Sequence, residues 1–332
     1  MPPTPSRTHH ERVTTFPTLD PELAAAVAML PRGDFSNLPV ARSTMNHLVD
    51  AFLADLSYEG AHLRLLSVPG AEGDPDVEVR LFIPETSTGP LPVLMWIHGG
   101  GFAVGSAAAS DAYCLEVVRR LGFAAASVEY RLAPETPFPG AHNDCYAALR
   151  YLHAHADELG IDRDRIAVGG ESAGGGLAAG VVLRARDEGS IPIAFQHLEI
   201  PVLDDRLDTV SMTSFVDTPV WNRSDAELSW RYYLGAEYAG PSDPNISAYA
   251  APARAEDLTG LPPTYLCTME LDPLRDEGIG YGLRLLQAGV SVELHSFPGT
   301  FHGSGMVVSA EVSRRVAAES LTAIKRGLRS TT

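Results

Sequence analysis

Arg165-Ile166-Ala167-Val168-Gly169-Gly170-Glu171-Ser172-Ala173-Gly174-Gly175 is the stretch whose reading decides the fold. Its apolar start predicts a buried strand, and the small-residue run Gly176-Leu177-Ala178-Ala179-Gly180-Val181-Val182-Leu183 predicts a helix. Between them lies a G-x-S-x-G pattern, which carries meaning in that strand–helix context. To point a hydroxyl out of the top of a sheet, the backbone must turn within one or two residues. The turn crowds the positions two before and two after the serine, where only glycine avoids a clash. Gly170 and Gly174 fill both. A helix that begins at the serine also turns its unpaired N–H groups and positive dipole end toward the reacting group. Ser172 is therefore the candidate nucleophile. In a chain with 30 glycines such a pattern also arises by chance, so the partners must be found elsewhere.

A serine hydroxyl needs a base, a group to orient that base, and donors for the oxyanion. The base candidate is His302, in the glycine- and proline-rich loop Phe297-Pro298-Gly299-Thr300-Phe301-His302-Gly303 after the last expected strand. His9 and His10 lie in the tail, His153 and His155 face different ways on a helix, and His295 sits inside a strand. The orienting carboxylate is Asp272, in a turn stiffened by Pro273, with Asp276, Asp204 and Asp205 as rivals. Asp276 should already stand in the first turn of a helix, where an acid needs no catalytic explanation. The order Ser172, Asp272, His302 is that of the α/β-hydrolases. His98-Gly99-Gly100-Gly101-Phe102 closes a strand with three glycines, whose N–H groups can approach a substrate oxygen without Cβ interference. Gly100, Gly101 and the N–H of Ala173 form the expected oxyanion hole. Gly174-Gly175-Gly176-Leu177-Ala178-Ala179 loosely matches a dinucleotide fingerprint, but it begins after the turn and inside a helix.

The rest of the chain fits around these groups. Two helices are expected between Pro21 and about Leu56, after a loosely held tail over 1–19. Strands are expected at Leu63–Val68, Val77–Ile83 and Val93–Ile97, over 122–129, before Ser172, over 194–200, and at Thr264–Met269 and Val290–Phe297. Helices are expected near 110–121, 141–158, from Ser172, and near 275–288 and 308–327. Alternating strands and helices with fully apolar strands predict a mostly parallel, eight-stranded twisted α/β sheet covered on both faces. The first two strands should pair antiparallel. Residues 203–250 break this rhythm with Met212, Phe215, Trp221, Trp230, Tyr232, Tyr233 and Leu234. An insertion of that size usually covers something. The organisation expected is an N-terminal helical cap segment over 1–55, a hydrolase core over 56–202 and 251–332, and a cap insertion over 203–250. Phe215 and Trp221 are the residues expected to line its pocket.

Composition narrows the function. The 332 residues carry 25 basic and 42 acidic side chains, a net charge of −17, which disfavours nucleic acid and anionic membranes as partners. Lys325 is the only lysine, which removes a Walker A loop, a Schiff-base enzyme and a Ser–Lys dyad. Cys114, Cys145 and Cys267 are scattered and form no CxxC, so buried thiols in a reducing compartment are expected. No secretory signal or membrane-length apolar stretch is visible, so a cytoplasmic location is expected. No H-E-x-x-H and no ligand-spaced cluster of histidines and acids points to a metal.

The run His98–Gly101, Gly170-Glu171-Ser172-Ala173-Gly174, Asp272-Pro273-Leu274 and His302-Gly303 together resemble the hormone-sensitive-lipase family of α/β-hydrolases, in particular its bacterial esterases. Tyr130-Arg131-Leu132-Ala133-Pro134-Glu135, followed by Pro137-Phe138-Pro139, is similar to another stretch of that family. The resemblance spans roughly residues 60–325. It implies Ser172, Asp272 and His302 as the triad and Gly100, Gly101 and Ala173 as the oxyanion hole. It further implies a helical cap, no cofactor, and frequent pairing into homodimers. Glu171 departs from the aspartate common in the larger branch, and a structural role at the elbow is expected for it. The reaction implied is hydrolysis of small to medium carboxylic esters, with activity falling as pH drops through roughly 6–7, where an ordinary imidazole protonates. Two alternatives stay open: a small-molecule receptor on the same scaffold, as in plant gibberellin receptors, and an amidase or lactonase with the same triad.

Overall fold

The computed structural model describes residues 18–30 and 34–329, so His9, His10 and nearly all of the expected tail lie outside the described residues. Eight strands form one sheet: β1 (Ala61–Val68), β2 (Val77–Pro84), β3 (Leu91–Ile97), β4 (Ala124–Glu129), β5 (Ile161–Glu171), β6 (Phe195–Glu199), β7 (Thr264–Met269) and β8 (Val292–Phe297). Their order is β1-β2-β4-β3-β5-β6-β7-β8. The first three in that order pair antiparallel and the rest parallel. Apolar composition follows position. The central β4 and β7 are buried along nearly their whole length, whereas the edge strands β1 and β8 are largely exposed or half-buried. Strands packed on both faces cannot alternate in polarity; strands at an edge can.

The helices are α1 (Pro21–Val27), α2 (Leu38–Ala54), α3 (Asp111–Leu121), α4 (Gly140–Ala154), α5 (Ala156–Leu159), α6 (Ala173–Glu188), α7 (Val210–Ser214), α8 (Arg223–Leu234), α9 (Arg275–Gln287) and α10 (Glu311–Gly327). Apolar side chains of α3 and α10 pack on one face of the sheet, and those of α4, α6 and α9 on the other. The single helix expected over 141–158 is broken at His155, whose backbone leaves helical geometry at φ −105°, ψ 21°. The last strand begins at Val292 rather than Val290, because Val290 belongs to the turn that follows α9. Cys114, Cys145 and Cys267 are free and buried. Among the described residues, no helix is long and apolar enough to cross a membrane.

The stretch 203–250 carries only α7 and α8, and it meets the N-terminal segment directly. The Phe35 N–H donates to Asp225 Oδ1 (3.2 Å), and Tyr232 Oη donates to the Phe35 carbonyl (2.8 Å). The Phe35 ring stands edge-on to Trp221 at 5.3 Å. Arg42 of α2 reaches further, donating through Nε to the Ala103 carbonyl and through Nη2 to that of Ala133, both at 2.8 Å.

Candidate active site

β5 runs into a turn at Ser172, which holds φ +53°, ψ −120°. A side-chain-bearing residue there stores on the order of 1–3 kcal/mol of strain and needs neighbours to hold it. The Ser172 N–H donates to the Glu199 carbonyl (2.9 Å), and the Ser172 carbonyl accepts from Gly176 (3.1 Å) and Val202 (3.0 Å). A Cβ on Gly174 would lie 2.0 Å from the Ile97 carbonyl oxygen, and one on Gly170 would lie 2.4 Å from the Gly174 oxygen. Backbone crowds backbone at both positions.

The loops after β7 and β8 deliver the other two groups. Ser172 Oγ lies 2.9 Å from His302 Nε2, and His302 Nδ1 lies 2.7 Å from Asp272 Oδ2. A carboxylate only accepts, so the imidazole proton sits on Nδ1 and Nε2 is left to accept from the hydroxyl. The second Asp272 oxygen accepts from the Leu274 N–H (2.9 Å), which pins the carboxylate. All three side chains are buried. The rival acids are engaged elsewhere: Asp276 with the Ser211 N–H and Arg275, Asp204 with Arg206, and Asp205 with Arg254. His295 pairs with Glu293.

The glycine run after β3 is oriented peptide by peptide. In a trans peptide the N–H of one residue points opposite to the preceding carbonyl, so whatever fixes a carbonyl aims the next N–H. The Gly99 carbonyl accepts from His98 Nδ1 (2.7 Å), which aims the Gly100 N–H. The Gly100 carbonyl accepts from Ala103 and Val104 (both 3.0 Å), which aims the Gly101 N–H. Burial lowers His98 to about 4, so its ring stays neutral; bonded to a carbonyl, Nδ1 carries the proton. That ring stacks on Tyr130 at 4.2 Å, and Tyr130 Oη donates to the His98 carbonyl (3.0 Å). The Gly101 carbonyl accepts from Ser229 Oγ of α8 at 2.9 Å. Neither Ser229 nor Phe35 stands out in the sequence, where one is a serine inside a helix and the other a lone aromatic.

Trp221, expected near the site, lies 5.8 Å from the His302 ring. A Cβ on Gly101 would meet Phe35 Cε1 at 2.6 Å and Trp221 Cη2 at 3.0 Å, so these two rings close over the glycine run. Phe215 is buried with the Arg275 guanidinium 5.2 Å from its ring centre, three residues beyond Asp272. Glu171 differs from its neighbours: its side chain is exposed. Desolvation of its carboxyl by the surrounding protein, and next the charge of Glu199, raise it above the usual carboxylate range, against the pull of His302 and the Gly99 N–H.

The sequence profile of the alpha/beta hydrolase fold family matches residues 94–306. The chain belongs to that family. Within this α/β-hydrolase family its relatives include carboxylesterases of the hormone-sensitive-lipase-like branch, and the resemblance read from the motifs is borne out. It is 39% identical over 264 residues to the carboxylesterase NlhH of Mycobacterium tuberculosis, covering 78% of this chain and 81% of that protein. It is 30% identical over 305 residues to the ethyl acetate hydrolase of Pseudomonas putida, covering 86% and 91%. Among solved structures, a bacterial heroin esterase superposes with a TM-score of 0.94 at 72% identity, over 96% of this chain and 100% of that one. This hydrolase is a carboxylic-ester hydrolase.

Proposed function

We propose that Ser172, His302 and Asp272 hydrolyse small to medium carboxylic esters through an acyl-enzyme. His302 Nε2 takes the Ser172 proton as Oγ attacks the ester carbonyl. The oxyanion is held by the N–H groups of Gly100, Gly101 and Ala173. The alcohol leaves with the proton from His302, and water then repeats the sequence on the acyl-enzyme and frees the acid. Asp272 holds the Nδ1 proton and steadies the imidazolium. The observation that carries this is the continuous line Oγ–Nε2, Nδ1–Oδ2 at 2.9 and 2.7 Å.

The N-terminal segment and residues 203–250 act as the cap, with Trp221 and Phe35 bounding the reacting carbonyl and Phe215 lining the pocket. The likeness to a heroin esterase and an ethyl acetate hydrolase supports short acyl groups on alcohols of differing bulk. Three free, buried cysteines suit a reducing cytoplasm. The test is a p-nitrophenyl ester series of rising acyl length with the parent and Ser172→Ala. A burst of p-nitrophenol is expected from the parent with short acyl groups. A rate in Ser172→Ala near that of the parent would refute the proposal, since loss of a serine nucleophile costs roughly 10^6 in kcat.

A further inference from the structure

The chain neighbours of Glu171 on both sides, Val168 to Gly170 and Ser172 to Gly174, are buried, yet the Glu171 side chain is exposed. The position of a Cβ on Gly99 would lie 3.3 Å from both Glu171 Cγ and Ser172 Cβ. The stem of this acid and the reacting serine therefore flank the same glycine, and the carboxylate opens to solvent beside the nucleophile. Across the sheet, Glu171 stands in register with Glu199 of β6. Glu199 Oε1 accepts from Ser320 (2.6 Å), His197 (3.0 Å) and Tyr113 (3.5 Å), bonds that hold it ionised below the usual carboxylate range. The groups that face Glu171 are Glu199 from β6, His302 from the loop after β8, the Gly99 N–H from the loop after β3, and Tyr130 after β4. Among the described residues, no arginine or lysine acts on it. The site thus presents an accessible acid beside the nucleophile, with Glu199 behind it and, among the described residues, no arginine or lysine beside it.

We propose that Glu171 is a specificity residue that favours esters bearing an ammonium group, the cation resting against its carboxylate while the ester carbonyl meets Ser172. This rests on the reading of Ser172 as the nucleophile. The cation meets a carboxylate that no arginine or lysine among the described residues engages, and an anionic ester meets the opposite. With Glu171 raised above the usual carboxylate range, its carboxylate is charged at pH 8.5 and takes up a proton as pH falls. The preference for a cation is therefore gained as pH rises and lost as it falls.

The test compares acetylcholine, whose charge does not titrate, with its neutral isostere 3,3-dimethylbutyl acetate. The ratio of their kcat/KM values is measured from pH 5.5 to 8.5. Protonation of His302 slows both substrates alike and cancels in the ratio. The parent is expected to favour acetylcholine about five- to tenfold at pH 8.5, the scale of one partly screened ion pair. The ratio should fall as pH drops toward 5.5, and in Glu171→Gln it should stay near one throughout. A parent ratio near one at pH 8.5, or the same preference in Glu171→Gln, would overturn the proposal while leaving Ser172 in place. Hydrolysis of the neutral ester that survives Ser172→Ala would overturn the nucleophile reading and this inference with it.

Discussion

Ser229→Ala removes one hydroxyl from α8 and leaves the Gly101 carbonyl without its 2.9 Å donor. Ser229 and Gly101 are both buried, so the orphaned carbonyl meets no bulk solvent. An unmade bond of this kind costs about 1–3 kcal/mol of stability, or roughly 1–4 °C in Tm for a domain this large. The catalytic effect follows from which peptide plane is released. Ser229 holds the Gly101–Phe102 plane, next to the proposed Gly101 donor rather than on it, while the Gly100 carbonyl keeps its two bonds from Ala103 and Val104. Full loss of one oxyanion donor costs about 3–4 kcal/mol. A loosened neighbour should forfeit about a third of that, near tenfold in kcat with KM little changed. The assay is steady-state turnover of p-nitrophenyl acetate, paired with inhibition by a trifluoromethyl ketone whose adduct carries the same oxyanion. Its Ki should weaken by the same tenfold. Ala226→Gly destabilises the same helix without touching the glycine run and serves as the comparison. If Ser229→Ala lowers Tm yet keeps kcat within twofold of the parent, or if Ala226→Gly loses kcat equally, α8 does not tune the oxyanion hole.

Asp272→Asn should lower kcat by about 10^4, the scale for an orienting carboxylate turned to an amide, with circular dichroism unchanged; a loss under tenfold would contradict its role. Gly174→Ala places a methyl 2.0 Å from the Ile97 oxygen, and this is expected to cost at least about 3 kcal/mol or to prevent folding. A soluble variant with the parent's Tm would refute that close approach. Burial lowers His142 to about 4 in the folded chain, against about 6.5 when unfolded. The unfolded state therefore binds one more proton across that window, and stability present above pH 6.5 is lost as pH falls toward 4. The slope is about 1.4 kcal/mol per pH unit for this one group. Urea unfolding of His142→Phe from pH 4.5 to 7.5 should show the slope reduced by that amount, and parallel curves would contradict it.

The sheet was legible because its strands are short apolar runs set between turn-formers, and each expected strand has an observed counterpart. The three side chains that meet at the elbow were legible for a related reason. Each follows a strand at the same edge of a parallel sheet, so topology brings Ser172, Asp272 and His302 together across 130 residues of chain. What holds the glycine run was not legible. Ser229 meets Gly101 from 128 residues away and Phe35 meets Asp225 from 190, and no periodicity marks either contact. The helix expected over 141–158 failed at His155 because a helical pattern does not reveal a one-residue break when both halves stay amphipathic. Glu171 was expected to be structural. Its exposure, with buried residues on both sides, follows from the sharp turn at Ser172 rather than from its own polarity.

Arg42 bears on anyone who redesigns the gene. Its guanidinium grips the Ala103 and Ala133 carbonyls and the Glu135 carboxylate, so a helix that precedes the whole sheet braces the far end of the glycine run. Trimming the coding sequence to the sheet alone would keep every residue of the elbow and discard this brace together with Phe35. The shortened enzyme would be a scaffold with its chemistry present and its tolerances lost.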